Sequence, residues 1–334
     1  MPKTISILNK KMNTINWGII GCGDVTEVKS GPAFNKVENS RLVAVMRRNA
    51  EKAKEYAERH KVPFWYDNAD DLLNHEDINA IYIATPPSSH LEYALKALKL
   101  NKNVYLEKPM ALNSNEAKQI CDTLKSSNAK LTVAHYRRQL PMFLKVKQLI
   151  DDAKIGEIRC ADIQLLQPLK TDMITVTEDN WRANKSISGG GYFHDLAPHQ
   201  LDLIYYFLGD YKEAHGFAIN QSKTYDADDV VNGIIQLKNG IQCRGLWAFN
   251  VNESSNKDEL KIFGSLGEIK LSIFGNQIEI TKNGTTELLK FKHPEHIQHP
   301  MIEATVNYFL GKQDNPCSAY EGLRVMEIID TFSS

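Results

Sequence analysis

Three side chains in this sequence have the types and spacing of a proton-handling site. Lys108 stands in Glu107-Lys108-Pro109, directly after the apolar run Asn103–Leu106. Pro109 fixes the backbone beyond the lysine, so the ammonium projects at a defined angle. Far downstream, Asp195, His199, Asp202 and Tyr206 recur at helical spacing. At roughly 100° per residue they share a stripe about 60° wide, while Leu196, Leu203, Ile204, Phe207 and Leu208 take the other directions. An imidazole with an ordinary pKa of about 6.5 suits general acid–base work at neutral pH. A lysine ammonium can hold a hydroxyl oxygen and lower the cost of alkoxide charge developing on it. Together they can hold a hydroxyl oxygen and move its proton. Asp195 fits two roles at once: orienting His199 or touching substrate hydroxyls, and capping a helix with Pro198 in its first turn.

The elements that must position these residues divide the chain in two. With 334 residues, the expectation is two domains, each with its own core. Up to about Arg138, apolar runs at Trp17–Ile20, Arg41–Met46, Ala80–Ala84, Asn103–Leu106 and Leu131–Ala134 read as strands. Helical patterns at Asn49–His60 and Ser89–Leu100 alternate with them, and Ser89/Glu92 and Asn113/Glu116 read as capping boxes. Strands of this kind joined by helices make a parallel sheet covered on both faces. After Arg138 the period changes to two: Ile241, Cys243, Trp247 and Phe249 face one way, Gln242, Arg244 and Asn250 the other. Leu260/Ile262, Ile269/Leu271/Ile273 and Ile278/Ile280 repeat it, and Asn239-Gly240 and Asn283-Gly284 sit where type I′ hairpin turns belong. Helices are expected at Asp195–Leu208, Met301–Leu310 and Glu321–Phe332. The fold class is therefore α/β: a Rossmann dinucleotide-binding domain over 1–138, then an α+β domain over 139–334 with a large, mostly antiparallel open sheet.

The first strand runs into Gly21-Cys22-Gly23-Asp24-Val25-Thr26. Gly21 permits a tight turn, and Gly23 lets the backbone approach a pyrophosphate at a helix start. Thr26 departs from the Gly or Ala usual at the third position. The second strand ends in Arg47-Arg48, where NAD-preferring proteins carry an acidic residue for the ribose 2′-hydroxyl. A guanidinium at Arg47 suits a 2′-phosphate instead, and Arg48 can stack on adenine. The expected cofactor is NADP(H), with NAD(H) a second option.

Thr85-Pro86-Pro87-Ser88-Ser89-His90, Glu107-Lys108-Pro109, Trp181-Arg182 and Gly189-Gly190-Gly191-Tyr192-Phe193-His194-Asp195 through His199 and Asp202, with Gly264-Ser265-Leu266-Gly267, extend the glycine turn. Together they resemble the glucose–fructose oxidoreductase / inositol dehydrogenase (Gfo/Idh/MocA) family over nearly the whole chain. The resemblance implies catalytic roles for Lys108, Asp195 and His199. It also implies cofactor contacts at Gly21, Gly23, Asp24, Val25, Arg47, Arg48, Thr85, Pro86, His90, Glu107 and Lys108. Substrate contacts are implied at Lys108, Tyr136, Arg138, Trp181, Asp195 and His199, although Tyr136 stands where relatives commonly have Asn. His194 faces either substrate or solvent.

The implied activity is an NAD(P)-dependent oxidoreductase, preferring NADP(H), acting on a sugar, polyol or related hydroxyl or carbonyl compound. An NAD-dependent glycoside hydrolase with transient redox and a cofactor-sensing regulator without chemistry are the rival readings. The intact Lys108/Asp195/His199 set argues against the regulator. Forty basic against 41 acidic residues give a net charge of −1, which argues against nucleic acid or an anionic membrane as partner. No run approaches a membrane span. Five scattered cysteines without a CxxC pair read as free thiols in a reducing cytoplasm rather than zinc or disulfide ligands. His293, His296 and His299 are broken up by Pro294 and followed by Pro300, so no metal site is expected. Met12 is an alternative start, leaving residues 1–11 as a disordered lead. The exposed face of the open sheet and the resemblance both imply a homodimer or homotetramer through it.

Overall fold

The structure, a computed structural model, describes residues 13–169 and 180–333. The lead expected over residues 1–11 lies outside them.

The N-terminal sheet contains β1 (Ile15–Ile20), β2 (Ser40–Met46), β3 (Phe64–Tyr66), β4 (Ala80–Ile83), β5 (Asn103–Leu106) and β6 (Leu131–Val133). All pairs are parallel, in the order β3-β2-β1-β4-β5-β6. β1, β4 and β5 are buried on nearly every residue, as a sheet covered on both faces requires. Strand order reverses between β1 and β4, and the ends of those two strands open the crevice where such sheets bind ligands. β3 was not expected from the sequence. It is three residues long with Phe64 and Trp65 exposed, too short to show a period.

The helices of this half are α1 (Asp24–Val28), α2 (Ala50–His60), α3 (Ala69–Leu73), α4 (His90–Lys99) and α5 (Ser114–Lys125). Asn113 caps α5 by accepting from the Glu116 N–H, but the Glu116 carboxylate accepts from the Leu112 N–H, so that box is half formed. Ser89 does not cap α4: its hydroxyl donates to the Pro86 carbonyl inside a preceding 3-10 turn. The proline pair Pro86-Pro87 winds the entry too tightly for the side chain to reach its helix.

The second sheet contains β7 (Ile158–Leu166), β8 (Tyr211–Ile219), β9 (Val230–Leu237), β10 (Gln242–Ala248), β11 (Lys257–Gly264), β12 (Gly267–Leu271), β13 (Gln277–Lys282) and β14 (Thr285–Lys290). Its order is β14-β13-β12-β11-β7-β10-β9-β8, antiparallel except for the central β7/β10 pair. Asn283 and Gly284 both have positive φ, as a type I′ turn between β13 and β14 demands. At Asn239-Gly240 only Gly240 does, and the Gly240 N–H donates to the Leu237 carbonyl. That connection is a type I turn followed by a left-handed glycine, not the expected I′ turn, because four residues rather than two separate β9 from β10.

The remaining helices are α6 (Pro141–Asp151), α7 (Lys185–Ser188), α8 (Gly191–Leu208), α9 (His299–Phe309) and α10 (Ala319–Ser333). α8 and α10 lie against one another, and α10 also touches α5 and β8. Phe332 of α10 is fully buried over Gly233 of β9, where a Cβ would come within 2.2 Å of its ring. The missing side chain is the slot that seats the helix on the sheet. Among the described residues, no helix is long and apolar enough to cross a membrane.

Candidate active site

The glycine turn sits at the switch point. Gly21 has φ +95°, and a Cβ there would press to 2.7–2.9 Å on Thr85 and Ala84, at the end of β4. Gly23 has open space where a Cβ would stand. Thr26 takes the third position by capping the turn itself. Its buried hydroxyl donates to the Gly23 carbonyl at 2.7 Å and accepts from the Gly23 N–H at 2.9 Å. The buried Tyr56 hydroxyl donates to the Thr26 carbonyl at 2.8 Å. Asp24 is exposed and Val25 half-buried at the rim.

Arg47 is half-buried with Nη1 3.5 Å from the Cys22 carbonyl, and Arg48 is exposed. Among the described residues neither forms an ion pair. Across the turn, Pro86 is half-buried and the Thr85 hydroxyl is buried without a hydrogen-bond partner. An open glycine surface, an orphaned hydroxyl and an uncompensated guanidinium are what a bound dinucleotide would satisfy. The residues fit the cofactor.

Two expected cofactor contacts are displaced. His90 is fully buried, with Nδ1 3.0 Å from the Pro109 carbonyl and Nε2 2.8 Å from the Thr85 carbonyl. It ties the Thr85 and Pro109 loops together rather than facing the crevice. Glu107 is also buried, and its carboxylate accepts from the Tyr82 hydroxyl, the Gln298 amide and the Lys108 N–H, at 2.6, 2.6 and 3.1 Å. This carboxylate anchors the end of β5 from behind, which fixes the base of Lys108.

Lys108, joined to Pro109 by a cis peptide bond, donates from Nζ to Asp195 Oδ1 at 2.7 Å and to the Asp195 carbonyl at 2.9 Å. Arg182 Nε donates to the other carboxylate oxygen at 3.0 Å. Burial pushes the Asp195 carboxyl up, but the neighbouring Lys108 and Arg182 charges outweigh it and hold the group below its ordinary range. Both oxygens thus serve Lys108 and Arg182, and Asp195 orients the lysine rather than His199. Nor is it a cap. α8 starts four residues earlier, at Gly191, whose N–H donates to the Ser188 hydroxyl. Pro198 therefore lies inside the helix, where it withdraws an N–H from the ladder.

One turn beyond Asp195, His199 is buried with Nδ1 unpartnered. Its ring stands edge-on to Tyr136 and to Phe274, each 5.6 Å away between centroids. Burial holds it well below the ordinary histidine range, reinforced by Lys108, Arg137, His135 and Lys29. The imidazole is neutral at neutral pH, and burial and these charges oppose its protonation.

The lower half of the stripe is not part of this site. Arg138, 1% exposed, donates from Nε to both Asp202 oxygens at 3.0 Å and from Nη2 to Oδ1 at 2.7 Å. Its Nη1 donates to Glu321 at 2.5 Å, and the Tyr206 ring lies 5.2 Å beneath the guanidinium. Arg138 is consumed in this pair and cannot contact substrate as expected. Asp202 is a structural counter-ion rather than a proton carrier. Trp181 is half-buried with the Arg182 guanidinium 4.4 Å from its ring. His194 is largely buried and lines a surface cavity with Lys185 and Asp228. Of the site's cations, sequence reasoning missed Arg182 and Arg137; the signal for Arg182 was its place directly after Trp181.

The buried histidines give the protein an acid-sensitive fold. Burial pushes His135 and His194 down to about 4 and lowers His90 and His199 as well. The unfolded chain binds these protons near pH 6.5, so below that value it holds more protons than the folded protein. Stability therefore drops as pH falls from about 6.5 toward about 4, by about 1 kcal/mol per pH unit for each such histidine. Asp195 titrates below this window. Urea midpoints measured from neutral pH downward should decline throughout it; a flat profile would contradict neutral burial.

Comparison with known proteins shows the family. Residues 15–135 match an oxidoreductase family with an NAD-binding Rossmann fold, and residues 143–270 match the C-terminal domain of the same family. The protein is an oxidoreductase of the NAD(P)-binding class. The chain belongs to the GFO/IDH/MocA family. It is similar to oxidoreductase P35 of Formosa agariphila, with 51% identity over 318 residues, 95% of this chain and 98% of that protein. Levoglucosan dehydrogenase of Pseudarthrobacter phenanthrenivorans is 32% identical over 162 residues, 48% of this chain and 40% of that one. In fold, the chain is similar to a levoglucosan dehydrogenase solved with NADH and levoglucosan, with TM-score 0.84, 21% identity and 96% of each chain covered. A 3-ketoreductase from Actinomadura kijaniata, solved as a mutant with TDP-benzene and NADP, gives TM-score 0.81 at 21% identity, covering 95% of this chain and 96% of that one.

Proposed function

We propose that this protein is an NADP(H)-preferring oxidoreductase acting on a hydroxyl or carbonyl group of a sugar, polyol or related compound. The observation that carries the reading is Lys108, held by Asp195 at the mouth of the switch-point crevice, one helical turn of α8 from the unpartnered His199. When bound, the nicotinamide takes up or supplies a hydride at the carbinol or carbonyl carbon. Lys108 holds the substrate oxygen and stabilises negative charge as it develops there. His199, neutral, accepts the hydroxyl proton during oxidation and returns it during reduction. Asp195 keeps Lys108 aimed. Tyr136 and Trp181 line the substrate side. A panel of sugars, polyols and keto sugars followed by the absorbance of NADPH and NADH tests the reading; no redox turnover of any member would sink it.

The cofactor preference rests on Arg47, which no carboxylate neutralises among the described residues. Arg47→Asp is expected to lower kcat/KM for NADP by about 100-fold or more and to leave NAD little changed, because a carboxylate repels the 2′-phosphate that the guanidinium paired. Equal use of both cofactors by the wild type, unchanged by the substitution, would refute it. The same proposal divides the chain into a cofactor domain over 1–138 and a substrate domain over 139–334. It places a cytoplasmic homodimer or homotetramer contact on the outer face of the second sheet, where Phe217, Ile219 and Ile234 are exposed.

A further inference from the structure

Arg137 is the cation that this mechanism leaves unused. It is 5% exposed, with its guanidinium 4.4 Å from the Phe274 ring centroid and 5.2 Å from that of Tyr136. Among the described residues its side chain makes no hydrogen bond or ion pair, and Nε is buried without a partner. The adjacent Arg138, 1% exposed, is matched by Asp202 and Glu321. A guanidinium this far out of water is costly unless an anion compensates it. Tyr136 and Phe274 are also the two rings that flank His199, so Arg137 and the imidazole share one aromatic wall.

We propose that Arg137 binds a carboxylate carried by the substrate, so that the substrate is an acidic sugar or another hydroxy acid. This deepens the proposed function and rests on it. Lys108 and Arg182 share the Asp195 carboxylate, whereas Arg137 meets no carboxylate among the described residues. The planar fork of an unpaired guanidinium matches a carboxylate. An anion there would also offset one of the charges (Lys108, Arg137, His135 and Lys29) that act against protonation of His199, easing proton uptake once substrate is seated.

The test compares glucuronate with glucose, galacturonate with galactose, and each uronate with its methyl ester, using the wild type, Arg137→Met and Arg137→Lys. In the wild type, kcat/KM should favour each acid over its neutral counterpart by about 100-fold. Arg137→Met should bring that ratio close to one, and Arg137→Lys should restore part of it. Uronates should also raise the melting temperature of the wild type and not that of Arg137→Met. Oxidation of neutral sugars with no preference for acids and no uronate stabilisation would overturn the carboxylate site while sparing the redox reading. Uronate stabilisation lost in Arg137→Met, without redox turnover, would keep the site and overturn the redox reading. A preference for acids that persists in folded Arg137→Met would overturn the assignment to Arg137.

Discussion

Lys108→Met is expected to lower kcat by about 10³-fold or more while leaving the dissociation constant for NADP(H) nearly unchanged. The ammonium is the group placed to meet charge on the substrate oxygen, and methionine keeps its length without its charge. The glycine turn, Arg47 and Thr85 are untouched by the substitution. The fold is expected to survive, because Asp195 retains Arg182 at 3.0 Å and the Glu107 network behind the strand end remains. Single-turnover rates and fluorescence titration of cofactor separate the two effects. If the lysine acts only in the transition state, kcat and kcat/KM fall together. Full activity in the variant would remove Lys108 from the chemistry.

Asp202→Ala is expected to cost about 3–5 kcal/mol of stability, because it strips most of the compensation from a guanidinium sealed inside the protein. Asp202 and Arg138 are each 1% exposed, and Glu321 and the Pro316 carbonyl, which also accept from Arg138, meet a different nitrogen. A lower urea midpoint with kcat preserved in the folded fraction is the expected result. The double variant Arg138→Met/Asp202→Leu should recover much of the loss, since replacing both charges removes the desolvation penalty as well as the attraction. If Asp202 instead carried protons in catalysis, Asp202→Ala would lower kcat with the midpoint unmoved. That outcome would reverse the structural assignment.

These two predictions involve the same helix, which shows how far the sequence could be read. The angular stripe of Asp195, His199, Asp202 and Tyr206 follows from helical geometry, and all four do lie on α8. What spacing cannot encode is which neighbour meets each turn. Lys108 reaches the first turn of the stripe from the end of β5, while Arg138 reaches the later turns from the segment after β6. One stripe therefore splits into a half that faces Lys108 and a half that neutralises Arg138. Asp195 shows the same limit at closer range. As a cap it would mark the start of the helix, but Ser188 and the glycines before it start the helix earlier, and the aspartate becomes free to hold Lys108.

The two adjacent arginines give the opposite lesson. In sequence Arg137 and Arg138 are neighbours of one type, and the resemblance favours the second as the substrate contact. In three dimensions they leave the 3-10 turn at Tyr136–Gln139 in different directions. Arg138 enters the space between α8 and α10 and meets two carboxylates, whereas Arg137 turns toward aromatic rings and meets none among the described residues. Similarly, His90 and Glu107 belong to the motif that marks the cofactor crevice, yet both point behind it.

By itself, the sequence determined what is local or periodic. That includes parallel strands buried on both faces, the glycine turn after the first of them, the change to a period of two, and the lysine, aspartate and histidine of the candidate site. It also determined the family, because those motifs occur together in one order. The tertiary structure alone decided which charges neutralise one another and which remain to act. That decision depends on contacts between residues as far apart as Lys108 and Asp195 or Arg138 and Glu321, and on the exclusion of water around them. Neither the type of a residue nor its spacing along the chain carries that information.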